Sequence, residues 1–477
     1  MSLRDPRTQW KGWQGTAAQP ETRSSKLETL TGRNLAMRSE GLSPGNIPDD
    51  VLAAMERIHE AGHSVWIVGG AVRDSFRDLE AKDWDLATDA PSDLLLKLFP
   101  RVAPKGLRHG TIQVLTPVRT IEVTTVPVPG ERGILIDLAR RDFTINAMAW
   151  SFPAGEFLDP HRGVVDLEQG VLRGVGDAAS RFREDPLRAL RAGRFISTCG
   201  FRLEESTFLA LQREAGGLSR VAPERIRDEW LRLLAGSAVR EGVECMWRGG
   251  VIRETIPEML GGDRGEGPAD DAERAVRHAA RTVHECPAGT TVRLAAFFHN
   301  LRVRNRIGVS AVFQSGACMA DPAAGSRMAE GILERWRAST RHRREVASLV
   351  QHQITADSRD WSGAELRRTM SRVGRDLLQD WIHLAEAHAR ALASASPGFY
   401  DWWRNFRGRI LAELADGFPM EVRELALDGS DVMQALGIPP GEAVGQVLRA
   451  LHERAIDDPS LNRRDLLMDF LSKAFHD

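Results

Sequence analysis

The sequence predicts an α+β protein in which a mixed α/β head precedes an all-helical remainder. Three observations predict it. Short strand-like segments at 65–68, 84–87, 111–115 and 121–126 are separated by helical stretches. After Asp177, patterns of helical period run to the end of the chain. Gly/Pro loops at 261–268 and 287–290 interrupt them, with no short repeat and no long low-complexity tract.

Residues 1–45 are polar, rich in Ser, Thr, Arg and Gly, and are expected to be a mobile extension. Ile47-Pro48-Asp49-Asp50 predicts a helix start, because an acidic first turn precedes the amphipathic run Val51, Leu52, Met55, Ile58. With 477 residues the chain has room for about three or four domains. No apolar run approaches the ~18–20 residues of a membrane span, and the N-terminus lacks a signal-peptide core. Cys199, Cys245, Cys286 and Cys318 show no CxxC pairing. That disfavours a disulfide framework or a cysteine zinc site and predicts a reducing, cytoplasmic setting.

The net charge is −2, so the whole chain is not a basic nucleic-acid binder. Between Arg181 and Arg240, however, twelve arginines face eight acids. Such a segment suits a confined phosphate-binding face, although a solvated helical surface reads the same way.

Two constellations carry chemistry. Val65-Trp66-Ile67-Val68 runs into Gly69-Gly70 and then Ala71-Val72-Arg73-Asp74. A strand, two glycines and a helix allow close backbone approach to an anion such as a triphosphate. Further on, Asp83-Trp84-Asp85 places two carboxylates at i and i+2, which share one face of a strand. Two adjacent carboxylates repel unless a cation separates them, and hard oxygen ligands suit Mg2+. Each constellation alone is common: a tight turn and a chance DxD are the ordinary readings.

Together they resemble the signature of the polymerase-β-like nucleotidyltransferases, and most of all the class II tRNA nucleotidyltransferase and bacterial poly(A) polymerase family. Further segments are similar in order: Gly106–Val114; Ile121-Glu122-Val123; Arg140-Arg141-Asp142-Phe143-Thr144-Ile145-Asn146; Asp159-Pro160 with Asp166; Glu184-Asp185-Pro186-Leu187-Arg188 through Arg191; and Ala222-Pro223-Glu224-Arg225-Ile226. The resemblance implies a mixed sheet with helices on one side. It implies Asp83 and Asp85 as metal ligands, Glu122 as the third catalytic carboxylate and Mg2+ as cofactor. Nucleotide contacts are implied for Gly69, Gly70, Arg73, Arg140, Arg141, Asp142, Asn146, Asp185, Arg188 and Arg191. In this family the acid and arginine of the fourth motif select CTP or ATP. Read as one helix, Asp185 and Arg188 at i and i+3 would share a face, and Arg194-Phe195 would anchor packing.

Two departures matter. The interval from Val126 to Ala139 is shorter than in CCA-adding members, which predicts addition of CC, with full CCA addition as the alternative. Asn300, after His299, stands where related chains carry the aspartate of an HD phosphohydrolase, so a degenerate, non-catalytic HD-like body is expected. His278 and His352 lie at plausible ligand positions there.

The expected organisation is an extension (1–45), a head (46–170), a helical neck with the nucleotide-selecting motif (171–245), a helical body (246–395) and a tRNA-binding tail (396–477). Expected partners are the 3′ end and acceptor arm of tRNA, CTP with ATP as second nucleotide, and a separate A-adding enzyme, with no membrane. Poly(A) polymerase and a catalytically silent RNA-binding protein are the competing readings.

Overall fold

The computed structural model describes residues 46–81, 83–103, 110–260, 269–301, 322–393 and 397–474. The expected extension 1–45, residues 106–109 of the Gly106–Val114 motif, the loop 261–268 and Cys318 lie outside the described residues. The described chain forms two compact units. One holds residues up to Arg225 together with Arg248–Thr255, and the other holds Ile226–Trp247 and residues from Ile256 onward.

The first unit is built on a seven-stranded mixed sheet of order β3-β4-β5-β2-β1-β6-β7. Its strands are β1 (Val65–Val68), β2 (Trp84–Thr88), β3 (Val102–Ala103), β4 (Thr111–Leu115), β5 (Thr120–Thr125), β6 (Ala149–Phe152) and β7 (Phe157–Leu158). Only β2 and β5 run parallel. The helices among them are α1 (Asp49–Glu60), α2 (Gly70–Ser75), α3 (Ser92–Leu98) and α4 (Glu131–Ala139).

Packing on both sides of the sheet explains the wholly apolar β1. Val65 and Ile67 join the larger core with Trp84, Leu86, Ile121, Val123 and the inner face of α1. That face of α1 is Val51, Ala54, Met55 and Ile58, at the spacing the sequence predicted. Trp66 and Val68 point the other way, into a smaller core with Ala87, Ala149 and the α4 residues Ile134 and Leu138. The layer carrying α1 and α3 is therefore the larger of two, and α4 covers part of the opposite face.

Short elements follow: α5 (Gly163–Glu168), β8 (Val171–Leu172), α6 (Ala178–Glu184), α7 (Leu187–Cys199), β9 (Arg202–Leu203) and α8 (Glu205–Glu214). Beyond them every regular element among the described residues is helical: α9 (Pro223–Leu234), α10 (Val239–Arg248), α11 (Val251–Thr255), α12 (Ala269–Glu285), α13 (Thr290–Phe298), α14 (Pro322–Arg335), α15 (Thr340–Gln351), α16 (Gly363–Val373), α17 (Leu378–Leu392), α18 (Pro397–Asp416), α19 (Gly429–Leu436), α20 (Glu442–Asp457) and α21 (Arg464–Ala474). At the C-terminal end, Asp428 caps α19 through the Ser430 and Asp431 amides, and Gly437 closes it in a left-handed conformation. Val432, Val444, Val447, Leu451, Leu467 and Leu471 form a core of their own there.

One histidine expectation is corrected in the helical unit. His278 and His299 do meet, but His352 does not join them. Its ring folds back on its own helix, with Nδ1 2.9 Å from the Ser348 carbonyl. His388 on α17 fills the place instead.

Candidate active site of the head

Strand alternation delivers the acids. Trp84 is 4% exposed and faces the larger core, so Asp85 faces the other side of β2. In β5, Ile121 and Val123 are fully buried, which turns Glu122 outward. The parallel register sets Asp85 directly beside Glu122. On the next strand Gln113 is the register partner of Glu122, and its amide donates to Glu122 Oε1 at 2.9 Å. Asp83 stands one residue before β2 and is exposed. Burial pushes the Asp85 carboxyl up to about 6; Arg141 and Arg191 oppose the rise, while the charges of Glu122 and Asp83 add to it.

The glycine pair closes one side of this group. β1 ends at Val68, and Gly69 follows with φ +74°. A Cβ on Gly69 would lie 2.8 Å from Arg141 Nη1 and 3.5 Å from Asp85 Oδ2, so this position must be glycine for conformation and for space. Gly70 opens α2, with Arg73 Nη2 3.6 Å from where its Cβ would be.

Behind the acids lies a hydrogen-bonded set drawn from three segments. Arg73 Nη1 donates to Asn146 Oδ1 at 2.7 Å, while Nε and Nη2 hold Asp74. Asn146 Nδ2 donates to Asp142 Oδ1 at 3.0 Å. Arg191 Nε and Nη2 grip Asp142 Oδ2 at 2.7 and 2.6 Å. Burial alone would raise the Asp142 carboxyl, but Arg191, Asn146 and the Phe143 amide hold it down at about 2. Arg141 reaches Asp137 through Nε at 3.0 Å and the Asn146 carbonyl through Nη1 at 3.4 Å. Phe195, 4% exposed, packs edge-on to Phe143, and the guanidinium groups of Arg73, Arg191 and Arg194 lie 5.4, 5.6 and 4.4 Å from its ring centre.

The fourth motif differs from the expected single helix. Asp185 lies between α6 and α7 in an extended conformation. Pro186 is the reason: the residue before a proline is driven out of the helical region, and a new helix begins after it. Asp185 and Arg188 therefore do not share a helical face. Arg188 bonds the Arg140 carbonyl through Nη2 at 2.8 Å and Glu184 through Nη1 at 3.2 Å. Asp185 Oδ2 instead accepts from Arg225 Nη2 at 2.8 Å. Gln113 and Arg225 were not among the expected site residues. Arg225 lies within the 222–226 motif, whereas Gln113 becomes visible only once β4 is paired with β5.

Asp85 and Glu122, side by side in the parallel ladder with Asp83 two residues before Asp85, are a set of hard oxygen donors. Such a set fits a divalent cation.

The chain is similar to known families and structures. Residues 65–173 match the family described as Poly A polymerase head domain. Residues 200–260 match the one described as Probable RNA and SrmB- binding site of polymerase A. The chain is 29% identical to a CCA-adding enzyme of Lactiplantibacillus plantarum over 442 residues, covering 87% of this chain and 94% of that protein. It is 42% identical to a CCA-adding enzyme of Bacillus subtilis over 208 residues, 41% of this chain and 52% of the relative. The crystal structure of the Bacillus stearothermophilus CCA-adding enzyme in complex with CTP superimposes with a TM-score of 0.65 at 26% identity, covering 91% of this chain and 98% of that one. Fold and site thus define a polymerase-β-like nucleotidyltransferase head on an otherwise helical chain. Within that class, these matches support a class II tRNA nucleotidyltransferase, the kind of enzyme its relatives are named as.

Proposed function

We propose that the protein adds nucleotides to the 3′ end of tRNA without a nucleic-acid template, and that it adds two cytidines from CTP and stops. The side-by-side register of Asp85 and Glu122 carries the first half of this reading. In this reading Asp83 and Asp85 hold Mg2+ and Glu122 completes the site. Bound there, Mg2+ supplies charge that favours the ionised 3′-hydroxyl and the departing pyrophosphate. Gly69, Gly70, Arg73, Arg140 and Arg141 present donors to the triphosphate. Asp142 and Asn146 fix Arg73 and Arg191, and Asp185 and Arg188 read the base edge, with Arg225 orienting Asp185. The neck, 171–245, carries that selection, while the body, 246–395, and tail, 396–477, hold the RNA.

The second half rests on the connection between β5 and α4. It has five residues, 126–130. The Gly130 amide donates to Asp89 Oδ2 at 3.0 Å, and a Cβ on Gly133 would sit 1.9 Å from the Val128 carbonyl oxygen. A connection so short and so closely packed supports a pocket that does not rearrange from CTP to ATP. Full CCA addition is the second reading, favoured by the relatives, which are CCA-adding enzymes.

Incubating the protein and Mg2+ with tRNA lacking its 3′ end, with labelled CTP or ATP or both, tests all of this. Two cytidines and a stop support the proposal, and a following adenosine supports the second reading. A long A-tail indicates a poly(A) polymerase. No incorporation under any condition overturns the enzymatic reading and leaves a silent RNA binder.

A further inference from the structure

Three histidine nitrogens converge inside the helical unit, on residues the nucleotidyl-transfer site does not use. His278 lies on α12, His299 follows α13 and His388 lies on α17. All three are buried, at 5, 1 and 5% exposure. His299 Nε2 is 3.2 Å from His278 Nε2 and 3.0 Å from His388 Nδ1, and the last two are 3.2 Å apart.

Hydrogen bonds among the three rings do not by themselves account for this triangle. His299 Nδ1 lies 2.6 Å from the Ala296 carbonyl oxygen, which only accepts. The ring hydrogen of neutral His299 is therefore on Nδ1, and Nε2 points a lone pair at the other two nitrogens. If one of those two carries a hydrogen, one edge of the triangle has two lone pairs facing each other. If both carry one, an edge has two facing N–H groups. No assignment of hydrogens to neutral rings satisfies all three edges.

A cation at the centre satisfies every lone pair at once. Ligand nitrogens about 2.0–2.1 Å from a metal are separated by about 2.9 Å at octahedral and about 3.4 Å at tetrahedral angles. The three separations fall between those limits. The support around the rings also suits ligation. Metal-bound histidines commonly donate their second N–H to a backbone carbonyl, as His299 does to Ala296. Gln353 Nε2 donates to the His299 carbonyl at 2.9 Å and holds the chain there. Phe399 packs edge-on to His388 with ring centres 5.8 Å apart.

The donor set decides the kind of ion. Asn300 occupies the position at which the sequence suggested a missing carboxylate. Without that carboxylate the site has little for a hard ion such as Mg2+. An all-imidazole set suits zinc and its neighbours, with water or a small anion as the remaining ligand. We propose that His278, His299 and His388 bind a borderline transition-metal dication such as Zn2+, which ties together α12, the end of α13 and α17.

The full-length protein, stripped with a chelator and kept in excess Mg2+ to occupy the head acids, is given Zn2+ or Co2+ and passed through gel filtration. About one retained ion per chain is expected, with a rise in Tm on Zn2+ addition and visible Co2+ bands of nitrogen coordination. His299→Ala and the double variant His278→Gln/His388→Gln should lose the retained ion. The proposal is overturned if the wild type retains far less than one ion, or if folded variants retain as much as the wild type. Should the variants fail to fold, the wild-type Co2+ spectrum decides, and a spectrum identical to Co2+ in buffer sinks the site.

Discussion

Asp85 and Glu122 are register partners on the two parallel strands of the head sheet, and neither has a neutralising partner of its own rank in the strand ladder. Arg141 approaches Asp85 but also spends its Nε on Asp137, and Glu122 receives one amide from Gln113. In the proposed role of Asp85 as a Mg2+ ligand, replacing it by Asn keeps shape and removes the charge that would hold the ion. Nucleotide incorporation should fall by about 1,000-fold or more, the cost of several kcal/mol of lost transition-state stabilisation. Labelled-CTP incorporation measures it, with circular dichroism unchanged; wild-type turnover in D85N would remove Asp85 from the site.

The raised Asp85 carboxyl predicts how Mg2+ binding depends on pH. Its value of about 6 lies above the ordinary 3.8. Between these values the folded, metal-free protein holds a proton that the unfolded chain has lost. This carboxyl's contribution to stability therefore declines as pH rises from about 4 to about 6, and Mg2+ should restore it at pH 7. Mg2+ affinity itself should climb through about pH 6 and level off above it. Calorimetric titration at pH 5, 6, 7 and 8 checks this; an affinity flat across that range contradicts the assignment.

Asp142 has the opposite sign. Held at about 2 by Arg191 and its other donors, it stabilises the fold at neutral pH, and that contribution is lost as pH falls from the ordinary carboxylate range toward 2. Asp142→Asn should cost roughly 3 kcal/mol, because Arg191 then loses its charged partner in a largely buried setting. Urea unfolding at pH 7 gives the number, and the difference from wild type should shrink toward pH 3.

The Asp185–Arg225 pair predicts a defect in choice rather than in chemistry. Arg225→Ala frees the carboxylate that the 2.8 Å bond orients. Discrimination between CTP and UTP should drop about tenfold, the scale of one mispaired base-edge contact, with KM for CTP raised more than kcat is lowered. Competition between the two nucleotides on one tRNA measures it, and unchanged selectivity would limit Arg225 to packing.

Gly69→Ala adds two penalties. The residue would have to adopt φ +74°, and its methyl carbon would meet Arg141 Nη1 at 2.8 Å. A stability loss of about 1–2 kcal/mol is expected from the backbone alone. A weaker CTP complex should accompany it as Arg141 is displaced. Thermal unfolding and nucleotide titration read the two effects separately.

By itself the sequence determined the order of elements and where its candidate chemistry-bearing residues fall along them. Apolar alternation around Glu122, the doubly buried β1, the Gly69-Gly70 turn and the amphipathic α1 are local patterns, and local patterns are legible because side-chain periodicity follows backbone geometry. The tertiary structure decided which of those side chains meet. Asp85 stands beside Glu122 because β2 and β5 pair in parallel across an intervening stretch of chain. Asp142 is tied to Arg191, Asp185 to Arg225, and His299 to His388 rather than to His352. Such partners are chosen by the packing of whole strands and helices, which bring distant residues within hydrogen-bond reach, and spacing along one chain carries no record of that distance.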